Sequence, residues 1–153
     1  MSILEDIIKT KPIKDPYSRA FLNIMYTGTW LLSRINQVLK PFDLTEPQYN
    51  VLRILRGQQG EAMPLFEIQE RMIQKMSNVS RLIDKLLEKG LVVRKECRDN
   101  RRKVDIMITK KGLDMLDAVE PNLNSLFDGV AKNLKKDDAR LLGEMLDTLR
   151  KDL

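Results

Sequence analysis

Two short clusters of side chains have the types and spacing to hold a polyanion. The first is Ser77, Asn78 and Arg81, at the start of the stretch SNVSRLIDKLLEKG. Serine, asparagine and arginine donate hydrogen bonds to phosphates and base edges; arginine suits guanine bidentately, and asparagine suits adenine. A helix N-terminus at the same place would add a field that favours phosphate. The second cluster is Arg98-Asp99-Asn100-Arg101-Arg102-Lys103. Between Arg94 and Lys103 there are six basic residues and two acidic ones, Glu96 and Asp99, so ten residues carry +4 of a net +5. An arginine at the tip of a two-stranded hairpin can enter a minor groove, where a narrow groove enhances the negative potential. Asp99 would repel phosphate, so it reads as an internal partner that braces an arginine. Each cluster alone also fits a solvated helix face or a charged turn. Their adjacency favours nucleic acid.

The elements that must position these clusters follow from periodicity. In the stretch Ser77–Lys89, Val79, Leu82, Ile83, Leu86 and Leu87 form an apolar stripe, and Gly90 is placed for a left-handed C-cap. Leu91-Val92-Val93 begins a strand, and Val104, Ile106 and Ile108 alternate with Asp105 and Met107 as in a half-buried second strand. Upstream, a short helix over Leu65–Met72 with Phe66, Ile68 and Met72 as its apolar set would complete a helix-turn-helix. A short strand is expected near Ala62-Met63. Thr45 and Gln48 have capping-box spacing at the head of a helix carrying Tyr49, Leu52, Ile54 and Leu55, which stops at Gly57.

Long amphipathic helices flank this middle part. Asp15-Pro16 is a helix start, and apolar residues from Phe21 to Leu39 recur at three- and four-residue steps. Thr109 caps a second long helix through roughly Lys132, with a kink or local break expected at Pro121. A last helix from Asp137 places Leu141, Leu142, Met145, Leu146 and Leu149 on one face. Residues 1–14 form a lead-in whose Ile3, Leu4, Ile7 and Ile8 have the spacing of a short docking helix. The terminal stripes need a partner, and a homodimer is the natural one.

Composition narrows the chemistry. The 153 residues include one cysteine, Cys97, and no histidine. An intrachain disulfide is impossible, and zinc sites of the usual Cys/His kind and imidazole catalysis are excluded. No nucleophile–base pair or glycine-rich phosphate loop is present, so no cofactor and no enzyme activity are expected. No apolar run approaches the roughly 20 residues of a membrane span, and the N-terminal segment lacks a signal-peptide layout. The expectation is a cytoplasmic protein without a membrane partner. Arg94, Lys95 and Arg98 could lower the pKa of Cys97 and make it a redox sensor, but an inert strand residue is the favoured reading.

The stretch VSRLIDKLLEKGLVVRKECRDNRRKVDIMITKKG resembles the core of the MarR family of transcriptional regulators. LTEPQYNVLRIL resembles the helix before that family's reading head, and TKKGLDML the start of its long dimerisation helix. The resemblance spans roughly residues 16–150. It implies a mainly α fold with a small β-hairpin wing, in one domain over 1–153. Within it, 16–40 and 110–153 are dimerisation helices, and 45–108 is a winged helix-turn-helix lobe. It implies a homodimeric regulator, with a repressor favoured, on a pseudo-palindromic operator in double-stranded DNA. Carried over, Ser77, Asn78 and Arg81 face bases and phosphates, and Gln74, Lys75 and Lys85 contact the backbone. Arg101 sits at the wing tip beside Arg98, and Asp99 and Arg102 support the wing. Met76 stands where a serine or threonine is common, which puts one phosphate contact in doubt. A cleft for small aromatic or anionic effectors would involve Tyr26, Trp30 and Tyr49, although these aromatics also fit as packing. The rival reading is a winged-helix protein-interaction module without specific DNA binding.

Overall fold

The computed structural model describes residues 3–97 and 100–151, with side chains left aside for residues 97–102. The chain falls into two compact units, Met1–Glu46 and Pro47–Leu153. The first contains a short helix α1 (Ile3–Ile7) and a long helix α2 (Pro16–Leu39), closed by a 3-10 turn over Lys40–Phe42. The second contains α3 (Glu46–Arg56), which begins at the boundary, then β1 (Met63–Pro64), α4 (Leu65–Arg71) and α5 (Val79–Glu88). It continues through β2 (Val92–Cys97), β3 (Asn100–Ile108), α6 (Lys110–Ala131) and α7 (Lys136–Leu149).

In the first unit, Asp15 caps α2 as expected: its Oδ2 accepts the Ser18 N–H at 2.7 Å, and Pro16 supplies a fixed φ where no N–H is needed. At the other end, Asn36 ties the helix to the next segment. Its Oδ1 accepts the Glu46 N–H at 2.9 Å while its Nδ2 donates to the Leu32 carbonyl at 3.0 Å. The lead-in does form a helix, followed by a turn in which the Glu5 carboxylate accepts the Ile13 N–H at 2.7 Å. Leu4, Leu39 and Leu44 are buried, whereas most of the apolar face of α2 is exposed within this chain.

The second unit is built on a small antiparallel sheet in the order β1-β3-β2. The hairpin therefore gains a third strand: Met63 pairs with Ile106 and Pro64 with Asp105. A proline is tolerated there because β1 lies at the sheet edge. Val51, Leu52, Leu55, Ile68, Met72, Val79, Ile83, Leu86, Leu91, Val92, Ile106, Leu116 and Val119 are all buried. Arg56 adds a surface strap from α3 to α6, 3.9 Å from Asp117 and 3.6 Å from Glu120.

Several local expectations change. Phe66, expected to be buried with Ile68, is 56% exposed. Two helical steps separate these residues by about 200°, so they point to opposite sides of α4. In α3 the buried set includes Val51 and the polar Asn50, neither of which the periodicity singled out. The helix α6 runs through Pro121 without a break. The proline forfeits one backbone hydrogen bond there, but the flanking Val119 and Leu123 are buried and anchor both sides of it. Gly112 is fixed by packing: a Cβ there would lie 2.3 Å from the Leu91 carbonyl oxygen and 2.7 Å from Ile108 Cγ1. No described helix is long and apolar enough to cross a membrane.

Candidate nucleic-acid interface

The first cluster lies on and just before α5. This helix begins at Val79, two residues later than the periodicity suggested. Asn78 is its N-cap, in an extended conformation (φ −79°, ψ 92°), and its Oδ1 accepts the Arg81 N–H at 3.1 Å. The sequence hides this because serine and asparagine are both favoured caps, and Ser77 and Asn78 are adjacent. Ser77 is half-buried in the preceding turn, where its N–H donates to the Gln74 carbonyl at 3.1 Å. Arg81 and Lys85 are exposed on the polar side of α5, opposite the buried Val79, Ile83 and Leu86. Lys85 also pairs with Glu88 at 3.2 Å.

The turn that delivers α5 is tied down by hydrogen bonds that sequence reading did not anticipate. The buried Asn50 of α3 accepts the Ile73 N–H through Oδ1 at 2.9 Å. Gln69 Nε2 donates to the Lys75 carbonyl at 2.9 Å, and Lys75 Nζ donates to the Glu70 carbonyl. These bonds hold the α4–α5 turn without the glycine that such turns often carry. Gln74 is half-buried and Lys75 exposed in the same turn.

The far end of α5 is clamped to the start of α6. Gly90 takes a positive φ of 70°, as a left-handed cap requires. The Lys111 ammonium donates to the Lys89 carbonyl at 2.8 Å, which places a cation at the negative end of the helix dipole. The Thr109 hydroxyl donates to the Gly90 carbonyl at 2.8 Å and accepts the Gly112 N–H at 3.1 Å.

The second cluster rides on the β2–β3 hairpin. Pairing is regular from Val92↔Ile108 to Glu96↔Val104, then passes directly to Cys97↔Asn100. Residues 101–103 therefore fall inside a ladder irregularity, and bulges of this kind twist a hairpin and redirect its side chains. The basic segment and the irregularity coincide, which no spacing rule indicated. At the base of the hairpin, Arg94 pairs with Asp84 of α5 at 2.5 Å. Both side chains are more than half exposed, so the pair links helix to wing while adding little stability. Arg98 and Asp99, the expected arginine–brace pair, lie outside the described residues, as do the side chains of Cys97, Arg101 and Arg102.

The aromatic candidates divide between the units. Tyr26 and Trp30 are one turn apart on α2 and partly exposed. Tyr49 is half-buried on α3, where its hydroxyl accepts from Arg53 Nη1 at 3.0 Å and its ring lies 5.9 Å from that guanidinium. Arg53 was not anticipated, although its four-residue spacing from Tyr49 on a helix is the signal that could have found it.

Comparison with known proteins bears on this arrangement. A model of the MarR family matches residues 44–104, from the start of α3 into the second strand of the hairpin. The HTH-type transcriptional repressor IacR of Pseudomonas putida is 27% identical over 142 residues, covering 88% of this chain and 84% of that protein. An uncharacterized HTH-type transcriptional regulator of Bacillus cereus is 30% identical over 120 residues, covering 76% of each. Among solved structures, a mutant MarR from E. coli complexed with operator DNA matches with a TM-score of 0.76. It covers 98% of this chain and 99% of that one at 22% identity, a level that speaks for the winged helix-turn-helix fold alone. Sequence and fold thus lead to one assignment: the chain belongs to the MarR family of transcriptional regulators.

Proposed function

We propose that this protein is a sequence-specific DNA-binding repressor that acts as a homodimer in the cytoplasm. The observation that carries the reading is the division of α5: Val79, Ile83 and Leu86 anchor it, while Arg81 and Lys85 stay exposed on its other side, and the turn before it is fixed by Asn50 and Gln69. Arg81 is the base and phosphate reader. Ser77, Gln74, Lys75 and Lys85 contact the backbone. Asn78 contacts DNA chiefly through Nδ2, because its Oδ1 is committed to the cap. Arg98, Arg101 and Arg102 form the wing contact, braced by Asp99. The exposed apolar faces of α2 and α7 support burial against a second copy. The repressor assignment draws on the likeness to IacR. A small aromatic or anionic effector that stacks on Tyr26 and Trp30 would release the DNA.

The test is a gel shift on DNA upstream of the protein's own gene. Binding should protect half-sites about one helical turn apart and weaken steeply as salt rises. Arg81→Ala should cost about 1–3 kcal/mol and relax base preference at one position, whereas Arg101→Ala should weaken binding and leave the fold intact. A shift that is neither sequence-selective nor salt-sensitive would instead favour a protein-docking module.

A further inference from the structure

Met76 is 98% exposed, the most exposed of the large apolar side chains described. Its two nearest apolar neighbours in sequence that face the core, Met72 and Val79, are both buried, so its exposure is a local choice and not a loose core. The side chain sits two residues ahead of the α5 N-cap, on the turn held by the Asn50–Ile73 and Gln69–Lys75 hydrogen bonds. Lys75 precedes it, and Ser77, Asn78 and Arg81 follow. An apolar group is thus presented among donors, from a turn whose backbone is tied down, at the N-terminal end of the helix that meets base edges in a helix-turn-helix. Ile73, 75% exposed, adds a second apolar group to the same turn.

On a DNA base edge, the one apolar group displayed in the major groove is the C5-methyl of thymine. A methionine suits that target, because its unbranched thioether adapts to an irregular surface and is polarizable. We infer that Met76 is a specificity-determining side chain that packs against a thymine methyl group in each half-site. The inference rests on the DNA-binding reading and gives a role to an exposed position whose side chain offers no hydrogen-bond donor.

The probe is the duplex that wild-type protein enriches from a randomised pool, together with copies in which each thymine is replaced in turn by uracil. Uracil keeps every hydrogen-bonding group and lacks only the methyl. At one symmetric position, uracil should weaken wild-type binding about fourfold per half-site, the worth of one buried methyl group. Met76→Ala should lose a similar factor on the thymine duplex and become indifferent to uracil there, while Met76→Leu retains discrimination. Melting temperature and salt dependence should not change. The inference is overturned if no thymine is sensitive in wild type, or if Met76→Ala loses the same factor on both duplexes. If wild type enriches no sequence at all, the DNA-binding reading falls as well, so the two failures are distinguishable.

Discussion

Helices α5 and α7 both carry apolar stripes and meet opposite fates. In α5 the stripe of Val79, Ile83 and Leu86 is buried against the chain's own core. In α7 Leu141, Leu142, Met145 and Leu149 all remain exposed, Met145 by 62%. The difference lies in what surrounds them. The stripe of α5 meets the sheet and α4, whose Val92, Ile106 and Ile68 are buried with it; α7 follows the long α6. An apolar stripe therefore fixes the rotation of a helix but not the molecule that covers it. Here one stripe is covered by the chain's own core, and the other is left exposed.

Four changes would break or sharpen this contrast. The largest effect should come from Leu142→Glu combined with Met145→Glu. If α7 is covered in a dimer, each uncompensated buried charge costs roughly 3–5 kcal/mol, and sedimentation should show a monomer. Retention of the dimer would place the interface elsewhere. Next, Ile83→Ala should lower unfolding stability by about 3 kcal/mol. Denaturant titration should give that loss equally at low and high protein concentration, because the cavity lies inside one chain. An intermediate effect is expected from Asn50→Ala, which leaves the Ile73 N–H without its acceptor. A stability loss of about 1–2 kcal/mol should accompany weaker DNA binding with an unchanged salt slope. A loss of stability alone would show that the α4–α5 turn needs no such tether for binding.

The smallest effect is at the N-terminus of α2. The Ser18 side-chain and backbone hydrogen bonds hold the Asp15 carboxyl below its ordinary value of 3.8. The folded state therefore releases this proton more readily than the unfolded one. The stabilisation is fully present above 3.8 and is lost as pH falls through the lower folded value. NMR titration should show the Ser18 amide moving with that depressed midpoint, and Asp15→Asn should keep the cap while abolishing the titration. A midpoint at the ordinary value would mean that the cap is weak in solution.

The caps at Asp15 and Thr109 were legible because each involves residues three apart, and local chemistry suffices to recognise them. The cap of α5 was blurred by two adjacent suitable residues, Ser77 and Asn78. Phe66 was misplaced because a seven-residue helix gives too few turns to fix a phase. Asn50 and Gln69 were missed because their partners, Ile73 and the Lys75 carbonyl, are backbone groups of a turn whose position depends on packing. The hairpin irregularity beside Arg101–Lys103 was likewise beyond reach, since register is a property of two strands together.

By itself, the sequence determined which segments are helices and strands, that a basic hairpin follows an amphipathic helix, and the family to which that order belongs. Periodicity, capping and turn chemistry act over a few residues, so one strand of text contains them. Only the tertiary structure decided that α5 starts at Val79, that β1 joins the sheet, that Asn50 tethers the α4–α5 turn, and that Met76 stands in solvent. Those outcomes depend on which surfaces exclude water together, and that is settled between segments far apart in the chain.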